Sequence, residues 1–302
     1  MVKIKLPTDI ISWYLQEIDK FFKNNKIASY KEVEEITKRD MGKSFKEILM
    51  ASPQMLETYA REIKDKAFVI SQEDREIFLS LYKNFRARVI SKRYLAKVNL
   101  KVCPYCNRNY IFNFGSKKQE ATAQLDHFYD KATYPYLSLS LYNLIPSCST
   151  CNLRKSKKDV LDEPIFNPYI DNLHNHVSFQ STSILSSKEV KKEGLDFFSP
   201  KRIDLQIINK SGSPKVDEHL DTFNIKSLYD SHKDIVAELY QKRVIYTDEY
   251  LDWLEEEFGD KVFRSREELL RLVTCGYVDD DDLHKRPLSK LIKDISQELN
   301  LI

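Results

Sequence analysis

Cys103-Pro104-Tyr105-Cys106 and Cys148-Ser149-Thr150-Cys151 decide the fold of this 302-residue chain, together with the two segments between them, Gln124-Leu125-Asp126-His127-Phe128-Tyr129-Asp130-Lys131 and Tyr142-Asn143-Leu144-Ile145-Pro146. Each C-x-x-C pair brings two thiolates within chelating reach, and two such pairs complete a closed tetrahedral zinc site. Four protein ligands leave no open coordination position, so the expected zinc is structural. In a reducing compartment, paired motifs of this kind point to metal thiolates and not to disulfides. The fifth cysteine, Cys275, stands alone in Leu272-Val273-Thr274-Cys275 and reads as a buried small hydrophobe.

Around the knuckles, from about residue 101 to 177, the sequence has the texture of short strands and turns. Tyr110, Phe112 and Phe114 alternate before Gly115-Ser116-Lys117-Lys118, and Ala121, Ala123 and Leu125 alternate after it, which predicts a hairpin. Asn143-Leu144-Ile145-Pro146 predicts a short extended segment, and Cys151-Asn152-Leu153-Arg154-Lys155 the opening of a helix.

The flanks read as helical. Ile11, Leu15, Ile18 and Phe22 share one face of a first helix entered through Pro7-Thr8. Ser52-Pro53 supplies a cap and a first-turn proline for a second, with Leu56, Tyr59 and Ile63 on one face. Ser71 and Asp74 start a third, carrying Phe78, Leu81, Tyr82 and Phe85. Ser181 to Lys192 is Ser- and Lys-rich and reads as a loop. Ile203, Leu205 and Ile207 read as a strand, and two helical faces follow, Leu228-His232-Ile235-Leu239 and Leu288-Leu291-Ile292-Ile295. The expected fold is α+β, with a helical region at 1–100, a zinc-bearing module at 101–177 and a mainly helical region with a short strand element at 178–302, packed as one body.

Composition narrows the class. No run of about 18 apolar residues occurs and the first residues lack the apolar core of a secretion signal, so a cytoplasmic protein without membrane spans is expected. The 48 basic and 46 acidic residues nearly cancel, but seven basic and no acidic residues fall between Arg86 and Arg108, with Tyr94 and Tyr105 interleaved. That is the footprint of phosphate-backbone binding, and a solvated helix face explains it equally well.

Taken singly, an Asp-His or an Asn-Leu pair carries no signal; in this order between two knuckles they resemble the HNH, or ββα-metal, nuclease motif in its His-Asn-Asn form. The resemblance runs from Cys103 to Asn167 and in detail is similar to the HNH subunits of bacterial anti-phage systems, Septu and retron-associated modules among them. It implies metal-dependent hydrolysis of phosphodiester bonds, in DNA first and RNA second. His127 would be the general base, Asp126 and Asn152 the ligands of a catalytic Mg²⁺ or Mn²⁺, and Asn143 the residue that orients the catalytic loop. Chemistry agrees: an imidazole accepts a proton near neutral pH, and oxygen donors suit hard cations. The resemblance also implies a partner ATPase of the SMC or ABC type.

Two departures stand out. Asn152 replaces the histidine found in many HNH proteins, and Asp130 stands where proline is common. Arg154, Lys155, Lys157 and Lys158 follow the metal ligand, with Arg108 beside the first knuckle. Lys155 is the residue expected to reach a phosphate, and a solvated basic turn is the competing reading. His174 and His176 read as a hydrogen-bonded loop before a ligand pair, and His232 as core. The competing function is a zinc-containing nucleic-acid-binding subunit without catalysis, which needs the cysteines and the basic stretch but not Asp126, His127 and Asn152.

Overall fold

The structure, a computed structural model, describes residues 2–65, 70–115, 120–181 and 198–302. The Ser- and Lys-rich reading at 182–192 and the turn residues 116–118 lie outside them. The chain mixes many helices with three two-stranded antiparallel sheets, β1-β2, β3-β4 and β5-β6, which is compatible with the α+β expectation. It divides into two compact units.

The first unit comprises residues 3–105 and 111–171. Its helices are α1 (Ile10–Asn24), α2 (Tyr30–Met41), α3 (Phe45–Met50), α4 (Pro53–Asp65), α5 (Gln72–Ala87), α6 (Val89–Val98) and α7 (Ser149–Lys155). Its strands are β1 (Asn113–Phe114), β2 (Glu120–Ala121), β3 (Gln124–His127) and β4 (Leu144–Ser147). The caps read from sequence at α4 and α5 are present: Met55 N donates to Ser52 Oγ and Asp74 N to Ser71 Oγ. Ser29-Glu32 and Ser44-Glu47 form capping boxes that start α2 and α3, helices the hydrophobic spacing alone does not mark.

In α1 the expected Ile18 and Phe22 are buried, but the start of the helix faces inward through Ile10 and Tyr14, with Ile11 exposed and Leu15 half-buried, so the stripe is offset by one residue in its first half only. Tyr14 decides the rotation, because its buried hydroxyl donates to Leu139 O at 2.7 Å. Tyr110, Phe112 and Phe114 are all exposed while Ile111 is 1% exposed. The alternation is therefore real, and its inward position belongs to the aliphatic residue, whose N–H donates to Lys101 O. The hairpin itself contracts to two residue pairs.

β3 and β4 carry the site and pair in a four-residue register from Gln124↔Ser147 to His127↔Leu144. Helices support this ribbon from beneath. Tyr82 of α5 donates to Leu125 O, Tyr94 of α6 to Leu144 O, and Ser140 to Ile48 O of α3. An aromatic core built from Phe22, Phe45, Phe78, Phe85 and Tyr136 fills the space between the helices.

The second unit comprises residues 172–302 with Val2 and 106–110. β5 (Val177–Ser181) and β6 (Leu205–Asn209) pair antiparallel, Leu205 with Ser181, and the expected strand at 203–207 is thus shifted by two residues. Helices follow at α8 (Pro214–Thr222), α9 (Ile225–Asp230), α10 (Lys233–Ile245), α11 (Asp248–Phe258), α12 (Arg266–Thr274) and α13 (Ser289–Glu298). The face drawn through Leu228 and Leu239 crosses a break at Ser231-His232, so His232 is a half-buried helix entry and not core. Cys275 is exposed, contrary to the expectation: it sits in the left-handed C-cap of α12 at φ 60°, and Thr274 takes the inward place. The last helix keeps its expected face, with Leu291, Ile292 and Ile295 buried and Asp294 accepting from Phe179 N of β5. No helix among the described residues is long and apolar enough to cross a membrane.

Candidate metal centre and catalytic cavity

Cys103, Cys106, Cys148 and Cys151 come together with their four sulfurs within 4.8 Å of one another, all buried. A zinc tetrahedron with Zn–S bonds of about 2.3 Å has sulfur–sulfur edges of about 3.8 Å, so this cluster closes on a metal with small side-chain adjustments. Backbone N–H groups already point at two of the sulfurs: Arg108 N lies 3.4 Å from Cys106 Sγ and Cys151 N 3.5 Å from Cys148 Sγ. Such donors stabilise thiolate charge. Asn107, at φ 52°, bends the chain back after Cys106 so that Arg108 can reach it. Four buried thiols with no disulfide and this spacing fit zinc.

Asp126 and His127 close β3, and Asn152 lies on α7 directly after Cys151. All three line one cavity of about 290 Å³, together with the cations Arg86, Lys131 and Lys157. The imidazole of His127 is fixed on two sides. Its Nε2 is 2.9 Å from Ser138 O, and Tyr82 packs edge-on against the ring at a centroid distance of 4.2 Å. A carbonyl only accepts, so the proton sits on Nε2 and Nδ1 carries the lone pair. Burial, with the Lys131 ammonium adding to it, lowers the His127 pKa to about 3, so the ring is neutral across the physiological range.

Asp126 accepts from the Tyr105 hydroxyl at 2.7 Å and faces the Lys155 ammonium at 3.5 Å, both on Oδ2. Burial raises its carboxyl above the usual carboxylate range, and Lys155 opposes that shift. Burial likewise lifts the Tyr105 phenol well above its ordinary value, so it remains a neutral donor. Asn152 donates from Nδ2 to Gln124 Oε1 at 2.6 Å, which makes Oδ1 the end that a hard cation would take.

Asn143 is fully buried and touches no cation. Its Oδ1 accepts from Tyr129 N at 2.7 Å, and its Nδ2 donates to Tyr129 O at 3.1 Å and Leu137 O at 2.9 Å. These bonds close the 128–142 loop on itself and so place Ser138, the partner of His127. Asp130 braces the same loop: its Oδ2 accepts from Ala132 N at 3.0 Å and Thr133 N at 3.1 Å. The carboxylate thus does by hydrogen bonding what a proline does by restricting its own φ.

The basic residues divide. Lys155, expected to reach a phosphate, is 1% exposed, and its ammonium donates to His127 O at 2.6 Å, so it braces the end of β3 from within. Lys157 lines the cavity. Arg154 is exposed on α7 and Lys158 pairs with Glu163. Arg108 belongs to the other unit, where its guanidinium donates to His232 Nε2 at 2.8 Å. Within the Arg86–Arg108 run Arg93 pairs with Glu17 and Lys97 with Asp9, while Arg86 lines the cavity. Sequence reasoning did not single out Arg86, Lys131, Tyr82 or Tyr105 for the site. Lys131 adjoins the motif, but Arg86 and Tyr82 arrive from a helix about 40 residues upstream and carry no local signal.

The chain resembles a Septu protein over one short stretch. That relative is the Septu protein PtuB of Bacillus thuringiensis, 44% identical over 54 residues, which are 18% of this chain and 21% of PtuB. The chain therefore matches about a fifth of the length of that relative. No family model and no solved structure matches the chain.

Proposed function

We propose that this chain is a metal-dependent endonuclease of the HNH, ββα-metal type, acting on DNA as the effector of an anti-phage defence system. The observation that carries the reading is the convergence of Asp126, His127 and Asn152 on one cavity, with the Nδ1 lone pair of His127 set by the Ser138 carbonyl. The partial likeness to a Septu protein supports the defence setting; a partner ATPase is what the resemblance of the motif implies. On this reading residues 101–177 are the nuclease module and the helical regions on either side serve the partner.

The donor set fits a hard divalent ion: a carboxylate, an amide oxygen and a cavity open to phosphate oxygens. Mg²⁺ or Mn²⁺ held by Asp126 and Asn152 would offset charge on the phosphate and the leaving 3′ oxygen. The remaining work falls to the protein. Neutral His127 accepts the proton of the attacking water at Nδ1. Its Nε2–H bond to Ser138 stabilises the imidazolium that results. Asn143 and Asp130 hold the loop carrying Ser138. Arg86, Lys131 and Lys157 bind the flanking phosphates, with Lys131 lying over the Tyr82 ring at 5.6 Å. The four cysteines fix β3 and α7, and hence the distance from base to ligands.

The test is cleavage of supercoiled plasmid with Mg²⁺ or Mn²⁺, by the protein alone and with the product of the gene beside its own. His127→Ala should slow cleavage about 10²- to 10⁴-fold while zinc content and fold persist. Equal cleavage by wild type and His127→Ala would remove the proposal. Nucleic-acid binding without cleavage in either setting would favour a zinc-containing binding subunit.

A further inference from the structure

Tyr105 is the third residue of the first knuckle, flanked directly by Cys106 and two residues after Cys103. Its ring is fully buried and its hydroxyl donates to Asp126 Oδ2 at 2.7 Å. The same oxygen lies 3.5 Å from Lys155 Nζ, whose shorter bond, 2.6 Å, goes to His127 O. Besides the backbone N–H of His127, the carboxylate therefore has two side-chain anchors. The phenol is the closer, and it is carried by the loop that the zinc holds.

We infer that Tyr105 is a positioning residue that transmits the geometry of the zinc knuckle to the carboxylate of the catalytic metal site, and that its hydroxyl sets the affinity of that site for a divalent cation. The inference rests on the function proposed above and deepens it. Zinc fixes Cys103 and Cys106, and the three-residue spacing between them leaves Tyr105 little backbone freedom. The phenol then holds one oxygen of Asp126 and orients the other. Without the hydroxyl, Oδ2 keeps the Lys155 ammonium as its side-chain donor, and the carboxylate turns toward it. A group that orients a ligating side chain in this way contributes about 10- to 100-fold to metal affinity when mutated elsewhere.

The experiment is Mn²⁺ binding to the zinc-loaded full chain, read by the electron paramagnetic resonance signal of free Mn²⁺, for the wild type, Tyr105→Phe, Asp126→Asn and the double variant. Tyr105→Phe keeps the ring, so zinc content and melting temperature serve as controls on the fold. The expected result is a Kd about tenfold weaker for Tyr105→Phe and no further weakening when it is added to Asp126→Asn. Where Tyr105→Phe loses zinc, 4-aminophenylalanine at the position supplies a donor on an intact ring and should bind Mn²⁺ more tightly than the Phe variant. A wild type that binds Mn²⁺ through Asp126 with a Kd unchanged in Tyr105→Phe overturns the inference alone. Mn²⁺ binding indifferent to Asp126→Asn overturns the inference and the proposed site together.

Discussion

Replacing Asn143 with alanine removes three hydrogen bonds at one buried point: one accepted from Tyr129 N and two donated to Tyr129 O and Leu137 O, all between 2.7 and 3.1 Å. Leu137 O keeps its bond from Ser140 N, but Tyr129 N and Tyr129 O have no solvent to turn to, since Tyr129 is buried. A net hydrogen bond is worth about 1 kcal/mol, and an orphaned buried group costs about 1–3 kcal/mol, so the loss should be about 3–5 kcal/mol. Trp13 lies in the unit that holds the site and Trp253 in the other. Urea unfolding followed by Trp13 fluorescence in a Trp253→Phe background, at constant zinc, therefore isolates the right transition. The same variant, held under conditions where it stays folded, should lose cleavage, because the 128–142 loop also carries the carbonyl that orients His127. A stability loss below about 1 kcal/mol would refute the stapling role, since three buried bonds cannot vanish so cheaply.

Cys148→Ser should abolish stoichiometric zinc and lower the melting temperature sharply, because structural zinc contributes folding free energy directly; an unchanged melting curve in metal-free protein would contradict this. The pH dependence of stability follows from His127, whose pKa falls from 6.5 to about 3 on folding. A depressed folded value means that the contribution is complete above pH 6.5 and is lost as the pH falls toward 3. Without added divalent ion, wild type should lose about 2 kcal/mol more than His127→Gln between pH 6.5 and 5, and parallel acid profiles would count against the buried neutral ring. Arg86→Ala and Lys157→Ala should each weaken nucleic-acid binding irrespective of sequence and reduce the slope of log affinity against log salt by about 1, whereas an unchanged slope would place these cations away from the phosphates.

The four-cysteine cluster was legible from spacing alone, because two thiols three residues apart on a turn stand within chelating reach of one another. The β3-β4 ribbon and α7 were legible from local pattern: Leu144-Ile145 is too short and too apolar for anything but a covered strand, and Cys151-Asn152-Leu153-Arg154-Lys155 continues the turn of the second C-x-x-C pair. What the sequence could not convey is direction. Period-two and period-four patterns locate an alternation but not which member faces in, and the first half of α1 buries Tyr14, whose hydroxyl donates to Leu139 O, in place of the expected Leu15. Lys155 shows the same limit at the site. A lysine three residues after Asn152, within one helical turn, reads as a phosphate contact, yet here its ammonium is buried beneath β3, where it satisfies a carbonyl and a carboxylate. Arg86 and Lys131 could be assigned only after folding brought α5 against the loop following His127. Cys275 failed for a local reason, since nothing in its neighbours marks the left-handed cap that turns it outward.

The most direct test of the account is a crystal structure of the zinc-loaded protein soaked in Mn²⁺, with anomalous scattering recorded at the zinc and manganese edges. The account predicts one zinc peak among the four cysteine sulfurs and one manganese peak about 2.2 Å from an oxygen of Asp126 and from Asn152 Oδ1, with His127 Nδ1 facing the same cavity. Manganese bound elsewhere, or Asp126 and Asn152 turned to different faces of the molecule, would contradict it.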